Sequence, residues 1–167
     1  MSVLADEFTQ VFREEHRAIR DLLLELIDAF RAADRPRIES LLREMAAATG
    51  PHFRYEEEAL YPSLVTIFGA EYVEQLLGDH DRAIGTARRL VELAGRVPLT
   101  SSEAEQATSL VRTILPHVSD CDGLSVMVEV LPEAQVRSIF DARSRSLREN
   151  LDLFAWADSV RERPRAH

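Results

Sequence analysis

The chain has 167 residues, 46% of them hydrophobic, which is enough for one domain with a buried core. Its formal net charge of −9 argues against a nucleic acid or an anionic membrane as the main partner. The single cysteine, Cys121, excludes an internal disulfide framework and fits a reducing compartment. The N-terminal segment is polar, and no stretch is long and apolar enough to span a bilayer. These features predict a cytoplasmic protein.

Hydrophobic residues recur at steps of three and four along the chain, a spacing typical of amphipathic helices. The first helix is expected over residues 5–33. The second helix is interrupted by Gly50-Pro51, where the proline removes a backbone donor and predicts a kink. Phe68-Gly69 is expected to close this second element.

The third helix is expected over residues 70–96, and residues 97–100 form a short loop before the fourth. Ser102 followed by Glu105 is the pattern of a capping box, in which side chain and backbone satisfy each other's hydrogen bonds at a helix start. This pattern predicts where the fourth helix begins.

Leu131-Pro132 interrupts the chain again, and residues 133–160 are expected to form one or two further helices. The predicted fold is therefore all-α. It consists of an up-down four-helix bundle over residues 1–131 and a C-terminal helical extension over residues 132–167 that packs on the same domain.

Four of the five histidines fall one per predicted helix, each on an apolar stripe. They are His16, His52, His80 and His117. His52 and Glu56 are one helical turn apart and face the same way. A single inward histidine is more often a hydrogen-bonded core residue than a ligand, but four of them with a carboxylate favour a metal site inside a helical bundle. The fifth, His167, is the last residue and is set aside.

Imidazole and carboxylate together suit iron, zinc or manganese, and no cluster of thiolates favours iron–sulfur chemistry. Two metals in one bundle need bridging carboxylates, and Glu56 is placed to supply one. The candidates for a second bridge follow His117 at three, four and five residues: Asp120, Cys121 and Asp122. In a regular helix the position at four stays closest to the stripe, which favours Cys121 unless the helix is locally wound as a π-bulge.

The order and spacing of these residues resemble the hemerythrin-like, or HHE cation-binding, family. The resemblance is carried by His16, His52-x-x-x-Glu56, Asp79-His80 and His117 followed by Asp122. The segment from His52 to Pro62 is especially similar to the second-helix segment of that family, and the resemblance covers roughly residues 5–130. It implies a four-helix bundle with two iron ions, oxo- or hydroxo-bridged, that react with dioxygen or related small molecules; zinc or manganese would accept the same ligands.

The metal ligands implied by the resemblance are His16, His52, Glu56, His80, His117 and Asp122. Oxygen-carrying hemerythrins have two histidines four residues apart on the third helix, whereas Leu76 and Ile84 flank His80 here. One iron would therefore have an open coordination position. Asp122 matches the oxygen-carrier spacing and is the working bridge, and Cys121 is an alternative ligand or a thiol beside the metals.

The predicted function is to bind, sense or reduce dioxygen, peroxide or nitric oxide in an apolar pocket lined by Phe8, Phe12 and Ile114. One alternative is a di-iron oxidative enzyme with a small organic substrate, which needs a larger and more polar pocket. Another is a metal-dependent sensor or iron-handling module whose C-terminal extension reports the metal state or mediates a homodimer. The last alternative is a bundle in which Cys121 has replaced a metal ligand, so that two metals no longer bind.

Several neighbouring polar residues are expected to play no direct part. Tyr55 and Tyr61 are interpreted as packing or rim residues, and Glu57 and Glu58 as solvated. Asp79 could orient a ligand, but it is interpreted as a surface residue.

Overall fold

The structure, a computed structural model, describes residues 3–161, which are helical apart from short connections and contain no strand. The helices are α1 (Val3–Arg31), α2 (Arg35–Tyr55), α3 (Tyr61–Phe68), α4 (Ala70–Ala94), α5 (Ser101–Asp122), α6 (Glu133–Glu149) and α7 (Leu153–Val160). A π-helical turn, Glu56–Leu60, joins α2 to α3, and a 3-10 helical segment, Gly123–Val130, follows α5. The prediction of an all-α fold is confirmed.

Four helical rods form a bundle, with α2, the π-helical turn and α3 acting as one continuous rod. Helix α1 contacts α2 and α5, and α4 contacts α5, α2 and α3, so that the four rods enclose a common interior. The rods are joined by residues 32–34, Gly69 and residues 95–100. Such short connections are typical of antiparallel neighbours. The predicted helical bundle is confirmed.

A layer of buried polar side chains divides the apolar interior of the bundle. One buried cluster includes Ile19 and Trp156, and a second includes Phe12 and Tyr61. His16 is buried and lies one turn after Phe12 and one turn before Ile19 on α1. The candidate ligands therefore lie between two apolar clusters that hold the surrounding helices in place.

Helix α5, the fourth helix predicted from the sequence, begins earlier than the sequence pattern indicated. The capping box is formed by Thr100 and Glu103, with the Glu103 N–H donating to Thr100 Oγ1 at 3.2 Å and the Thr100 N–H donating to Glu103 Oε2 at 2.9 Å. The prediction that Ser102 and Glu105 form this cap was wrong. Both pairs have the same spacing, but Thr100 is the residue with an extended backbone, and the chain is helical from Ser101.

The hydrogen-bonding pattern of the second rod changes five residues after Pro51, and the kink expected at Pro51 stays a prediction. Helix α2 continues through Pro51, and the hydrogen-bonding pattern changes at Glu56, whose carbonyl accepts from the Tyr61 N–H five residues later. Pro62 has no N–H to donate to the carbonyl of Glu58, which interrupts the α-helical pattern at this place. The π-helical turn therefore begins at the candidate bridging carboxylate.

The C-terminal helices pack against the bundle. Helix α6 contacts α1 and α2, and α7 contacts α2 and α4. The division of the chain near residue 131 stays a prediction, and His167 lies outside the described residues. None of the helices within residues 3–161 is long and apolar enough to cross a membrane.

Candidate metal centre

The carboxylate of Glu56 is fully buried and lies among three of the predicted histidines. Its Oε1 is 3.3 Å from His52 Nε2 and 3.9 Å from His16 Nε2. Its Oε2 is 3.1 Å from His80 Nε2. The structure thus brings together four of the six residues that the sequence singled out, with imidazole nitrogens on both carboxylate oxygens.

His16 presents a nitrogen lone pair to His52, beside this carboxylate. Its Nδ1 donates to the carbonyl oxygen of Phe12 at 2.8 Å, which leaves Nε2 as the acceptor, 3.3 Å from His52 Nε2. Burial and the neighbouring His52 lower the pKa of His16 to about 4. The ring is therefore neutral near pH 7, the form that binds metals.

His52 is held between two carboxylates. Its Nδ1 donates to Glu15 Oε2 at 2.8 Å, and the Tyr55 hydroxyl donates to the same oxygen at 2.6 Å. Burial alone would lower the pKa of His52, but the charges of Glu56 and Glu15 raise it to about 10. A cation that binds Nε2 must displace the proton held there.

His80 is fixed by its second nitrogen and by stacking. Its Nδ1 donates to Glu57 Oε1 at 2.9 Å, and its ring lies parallel to Phe53 with 3.8 Å between the centroids. The Tyr61 hydroxyl lies 3.0 Å from Nε2. Burial opposes protonation of His80, but the neighbouring carboxylates of Glu56 and Glu57 outweigh it and raise the pKa. Such partners on Nδ1 fix the tautomer and orientation of a metal-binding imidazole.

His117 lies beside His80 rather than around the Glu56 carboxylate. The two imidazole rings meet edge to face with 5.0 Å between their centroids. Among residues 3–161, His117 Nδ1 has no hydrogen-bond partner; this buried atom lies 3.6 Å from Asp79 Oδ2. Buried ring nitrogens without a partner are uncommon.

Helix α5 places Cys121, not Asp122, against Glu56. The helix is α-helical through Asp122, without the π-bulge that would turn Asp122 inward, and Cys121 Sγ donates to Glu56 Oε1 at 3.0 Å. Asp122 is partly exposed, although its Oδ1 is buried and has no hydrogen-bond partner in the described part of the chain. His16, Glu56 and Cys121 offer three potential ligand atoms within 4.8 Å of one another.

The hydrogen bond between Cys121 and Glu56 is buried, and burial affects the pKa of both groups. Burial, followed by the charge of Glu56, raises the pKa of the Cys121 thiol well above its usual value. Burial alone would also raise the pKa of Glu56, but the charge of His52 holds it well below its usual range. Glu56 is therefore an ionised carboxylate and Cys121 a neutral thiol that can donate to it.

The donor set fits a bound cation. Within residues 3–161, Glu56 Oε2 is buried and accepts no hydrogen bond, although His80 Nε2 lies 3.1 Å away. A buried ionised oxygen that lacks a partner is costly, and a cation would satisfy it.

The clustered histidine and glutamate side chains lie within a segment that matches a known protein family. The family model of the hemerythrin HHE cation-binding domain matches residues 7–124. The chain belongs to this family. Membership and the clustered side chains make it a metal-binding protein. The curated proteins and the solved structures contain no significant match to this chain.

A small apolar cavity adjoins the centre of this hemerythrin-domain protein. Its volume is about 20 Å³, which admits one water-sized molecule. The lining includes His16, His52, Glu56, Ile114, Val118 and Ala87. Ile114 was predicted to line the pocket, but the prediction that Phe8 and Phe12 do so was wrong. Phe12 instead packs against His16, with 4.3 Å between the ring centroids, because residues four apart on α1 share a face.

Sequence reasoning missed the polar partners of the hemerythrin-domain histidines. Tyr55 and Tyr61 were interpreted as packing or rim residues, yet both hydroxyls hydrogen-bond at the centre. Glu57 was interpreted as solvated, yet it holds His80. The π-helical turn explains part of this, because it brings Tyr61 onto the face of Glu56. Pro62 is the one sequence signal for that turn.

Proposed function

We propose that this chain holds a non-haem di-iron centre that binds, senses or reduces dioxygen, peroxide or nitric oxide. The observation that carries the proposal is the buried Glu56 carboxylate with imidazole nitrogens on both oxygens, His16 and His52 near Oε1 and His80 near Oε2. A carboxylate in this position can bridge two cations, as in other metal-binding helical bundles. Iron bound there would supply the redox chemistry with the small molecule.

The proposed ligands are His16, His52, Glu56, His80 and His117. For the remaining position on the fourth helix, the 3.0 Å contact between Cys121 and Glu56 supports Cys121 over Asp122. A thiolate there would require the cation to displace the thiol proton, which metals do readily. The second imidazole on the third helix is replaced by apolar Leu76 and Ile84. The open position expected from the sequence is thus part of the proposal.

The chain's own residues prepare this site in three ways. Glu15 and Glu57 accept from the Nδ1 atoms of His52 and His80, so the Nε2 atoms point at Glu56. The apolar lining of the cavity limits entry of water. The cavity volume of about 20 Å³ suits a diatomic molecule or peroxide better than an organic substrate, which needs several hundred cubic ångströms.

Anaerobic titration with ferrous iron, followed by oxygen exposure, tests the proposal through metal content and optical absorption. The wild-type chain should hold about two irons per chain. Glu56→Gln keeps the shape of the side chain but removes its charge, and it should reduce the iron content sharply. Glu58→Gln is the matched control, because Glu58 lies in the same π-helical turn but is exposed and paired with Arg54. Wild-type protein without bound iron, or equal loading of both variants, contradicts the proposal.

A further inference from the structure

Two arginines from the C-terminal helices reach the carboxylates that hold the metal-facing histidines. On α6, Arg143 Nε donates to Glu15 Oε1 at 2.7 Å. The other oxygen of Glu15 accepts from His52 Nδ1 at 2.8 Å. One arginine, one carboxylate and one imidazole therefore form a continuous chain of charged hydrogen bonds that ends at the Glu56 side of the centre.

A second chain of the same composition ends at His80. Arg161, directly after α7, donates from Nη2 to Glu57 Oε1 at 2.8 Å, and that oxygen accepts from His80 Nδ1 at 2.9 Å. The Arg161 guanidinium is itself fixed, because Nε donates to Asp81 at 2.7 Å and the group lies 4.9 Å from the centre of the Trp156 ring. The two chains start at different places in the C-terminal segment, one on α6 and one directly after α7, and act on different histidines.

We propose that the C-terminal segment, residues 133–161, aligns the candidate metal ligands through Arg143 and Arg161. Each arginine fixes a carboxylate, and each carboxylate fixes the Nδ1 proton and the ring orientation of one histidine, so that Nε2 faces Glu56. This inference rests on the proposed function for its consequence, metal affinity, but the alignment itself is a property of the protein alone.

The chemistry of the three groups explains why an arginine is needed. A carboxylate that accepts from an imidazole nitrogen increases the basicity of the other nitrogen and holds the ring plane. A partly buried carboxylate without a fixed partner can rotate away or retain water. Arginine prevents this because its planar guanidinium is always charged and matches carboxylate geometry.

Burial separates these arginines from ordinary surface ion pairs of the same helices. The side chains of Arg143 and Glu15 are 23% and 22% exposed, and those of Arg161 and Glu57 are 28% and 16% exposed. Arg88 and Asp158 also join α4 to α7, but they are 44% and 60% exposed. Surface pairs of the latter kind contribute little. The two partly buried pairs lie between the C-terminal segment and the centre, where they can control geometry.

The C-terminal segment lies outside the part of the chain that matches the family model, which ends at residue 124. Positions of the histidines within the matched helices are therefore supported by residues that the matched segment does not contain. A shortened chain should retain the ligands but hold them less accurately.

Arg143→Gln and Arg161→Gln in the full-length chain test the inference, with Asp158→Asn as the matched control. The first readout is proton NMR of the chelator-treated protein, in which hydrogen-bonded Nδ1 protons exchange slowly. Arg143→Gln should shift or broaden the His52 signal and leave that of His80. Arg161→Gln should do the reverse, and Asp158→Asn should change neither. Arg143→Lys and Arg161→Lys should restore the signals in part.

The second readout is metal affinity, measured by competition with a chelator. Each glutamine variant should bind about 10-fold more weakly than wild type, the usual effect of losing an outer hydrogen-bond partner, while Asp158→Asn binds normally. Unchanged Nδ1 signals in both glutamine variants overturn the inference. Wild-type protein that binds no metal but shows the arginine-dependent signals leaves the alignment standing and removes the proposed function instead.

Discussion

The thiol of Cys121 donates a hydrogen bond to Oε1 of Glu56 at 3.0 Å, deep inside the bundle. Both side chains are fully buried, and the sulfur occupies the place on α5 that helix spacing assigned to Cys121 and the family resemblance assigned to Asp122. The contact follows from helix geometry, because position four after His117 stays on the inward stripe while position five turns away. A ligand set that includes sulfur is softer than one of nitrogen and oxygen alone.

Cobalt binding should distinguish Cys121 from Asp122 as the metal ligand supplied by α5. Cobalt-loaded wild-type protein is expected to show thiolate-to-metal absorption in the near ultraviolet, and Cys121→Ser should remove it. Asp122→Asn is the control, and it should leave that absorption and the cobalt content close to wild type. The opposite result, in which only Asp122→Asn weakens binding, would restore Asp122 as the ligand and leave Cys121 as a packing residue.

Periodicity was enough to predict the helices and the inward direction of the histidines. Apolar residues at steps of three and four place His16 and His52 on buried faces, and the structure buries both. Periodicity failed where the hydrogen-bonding pattern changes. The π-helical turn at Glu56–Leu60 adds a residue to the turn, so Tyr61 faces the centre although α-helical spacing from Glu56 points it elsewhere.

The residues that position the histidines through hydrogen bonds could not be predicted from the sequence either, for a different reason. Arg143 and Glu15 are 128 positions apart in the chain, and nothing in a local pattern indicates that they meet. Their contact depends on how α6 packs against α1, which is set by the packing of whole helices. Short-range reasoning can place a ligand on a face, but it cannot find the residue that holds the ligand from another helix.

Stability of the chelator-treated protein should fall as the pH rises from 6.5 to about 7.5, a range in which unfolded cysteine is still mostly protonated. The pKa of His52 is raised from 6.5 to about 10, so the folded state keeps its proton over this range while the unfolded chain releases it. Stability from such a group is fully present below pH 6.5 and is lost as the pH approaches 10. His80, whose pKa is also raised, acts in the same direction.

The expected slope is on the order of 1 kcal/mol per pH unit for each such histidine, measured by urea unfolding at a series of pH values. His52→Gln removes one of the two groups, and its profile should be flatter. Stability that is constant or increases over this range in the wild-type protein would show that His52 is not held as a cation between Glu15 and Glu56.

Filling the cavity beside the centre should slow entry of small molecules without removing the metal. Ala87 lines the cavity and is buried, so Ala87→Val adds volume to a space of about 20 Å³. Ala107→Val is the matched control, because Ala107 is equally buried but does not line the cavity. Both should destabilise the fold by about 1–3 kcal/mol through overpacking.

Only Ala87→Val should slow the reaction of the ferrous protein with dioxygen, followed by stopped-flow absorption at equal iron content. Similar slowing in the two valine variants would point to a general effect of stability. A normal rate in Ala87→Val would mean that small molecules reach the iron by a route that avoids this cavity.

At Gly50 the C-terminal segment lies directly against the rod that carries His52. A Cβ atom at Gly50 would lie 2.6 Å from the backbone nitrogen of Leu153 and closer still to the carbonyl oxygen of Leu151. Backbone atoms cannot move aside as a flexible side chain can. Gly50→Ala should therefore destabilise the protein by about 1–3 kcal/mol and displace the segment between α6 and α7.

Gly85→Ala, in α4 of the same bundle, is the matched control, and we expect it to change stability in the opposite direction. A Cβ atom at Gly85 meets no atom of residues 3–161 within 4 Å, so alanine should stabilise α4 by roughly 0.5–1 kcal/mol through its higher helix propensity. Thermal unfolding measures both changes, and limited proteolysis of residues 150–153 measures the displacement. If Gly50→Ala is as stable as Gly85→Ala and equally resistant to cleavage, the C-terminal segment does not sit against α2 beside His52. Faster cleavage of Gly50→Ala than of wild type, together with weaker metal binding, would connect the position of this segment to the geometry of the centre.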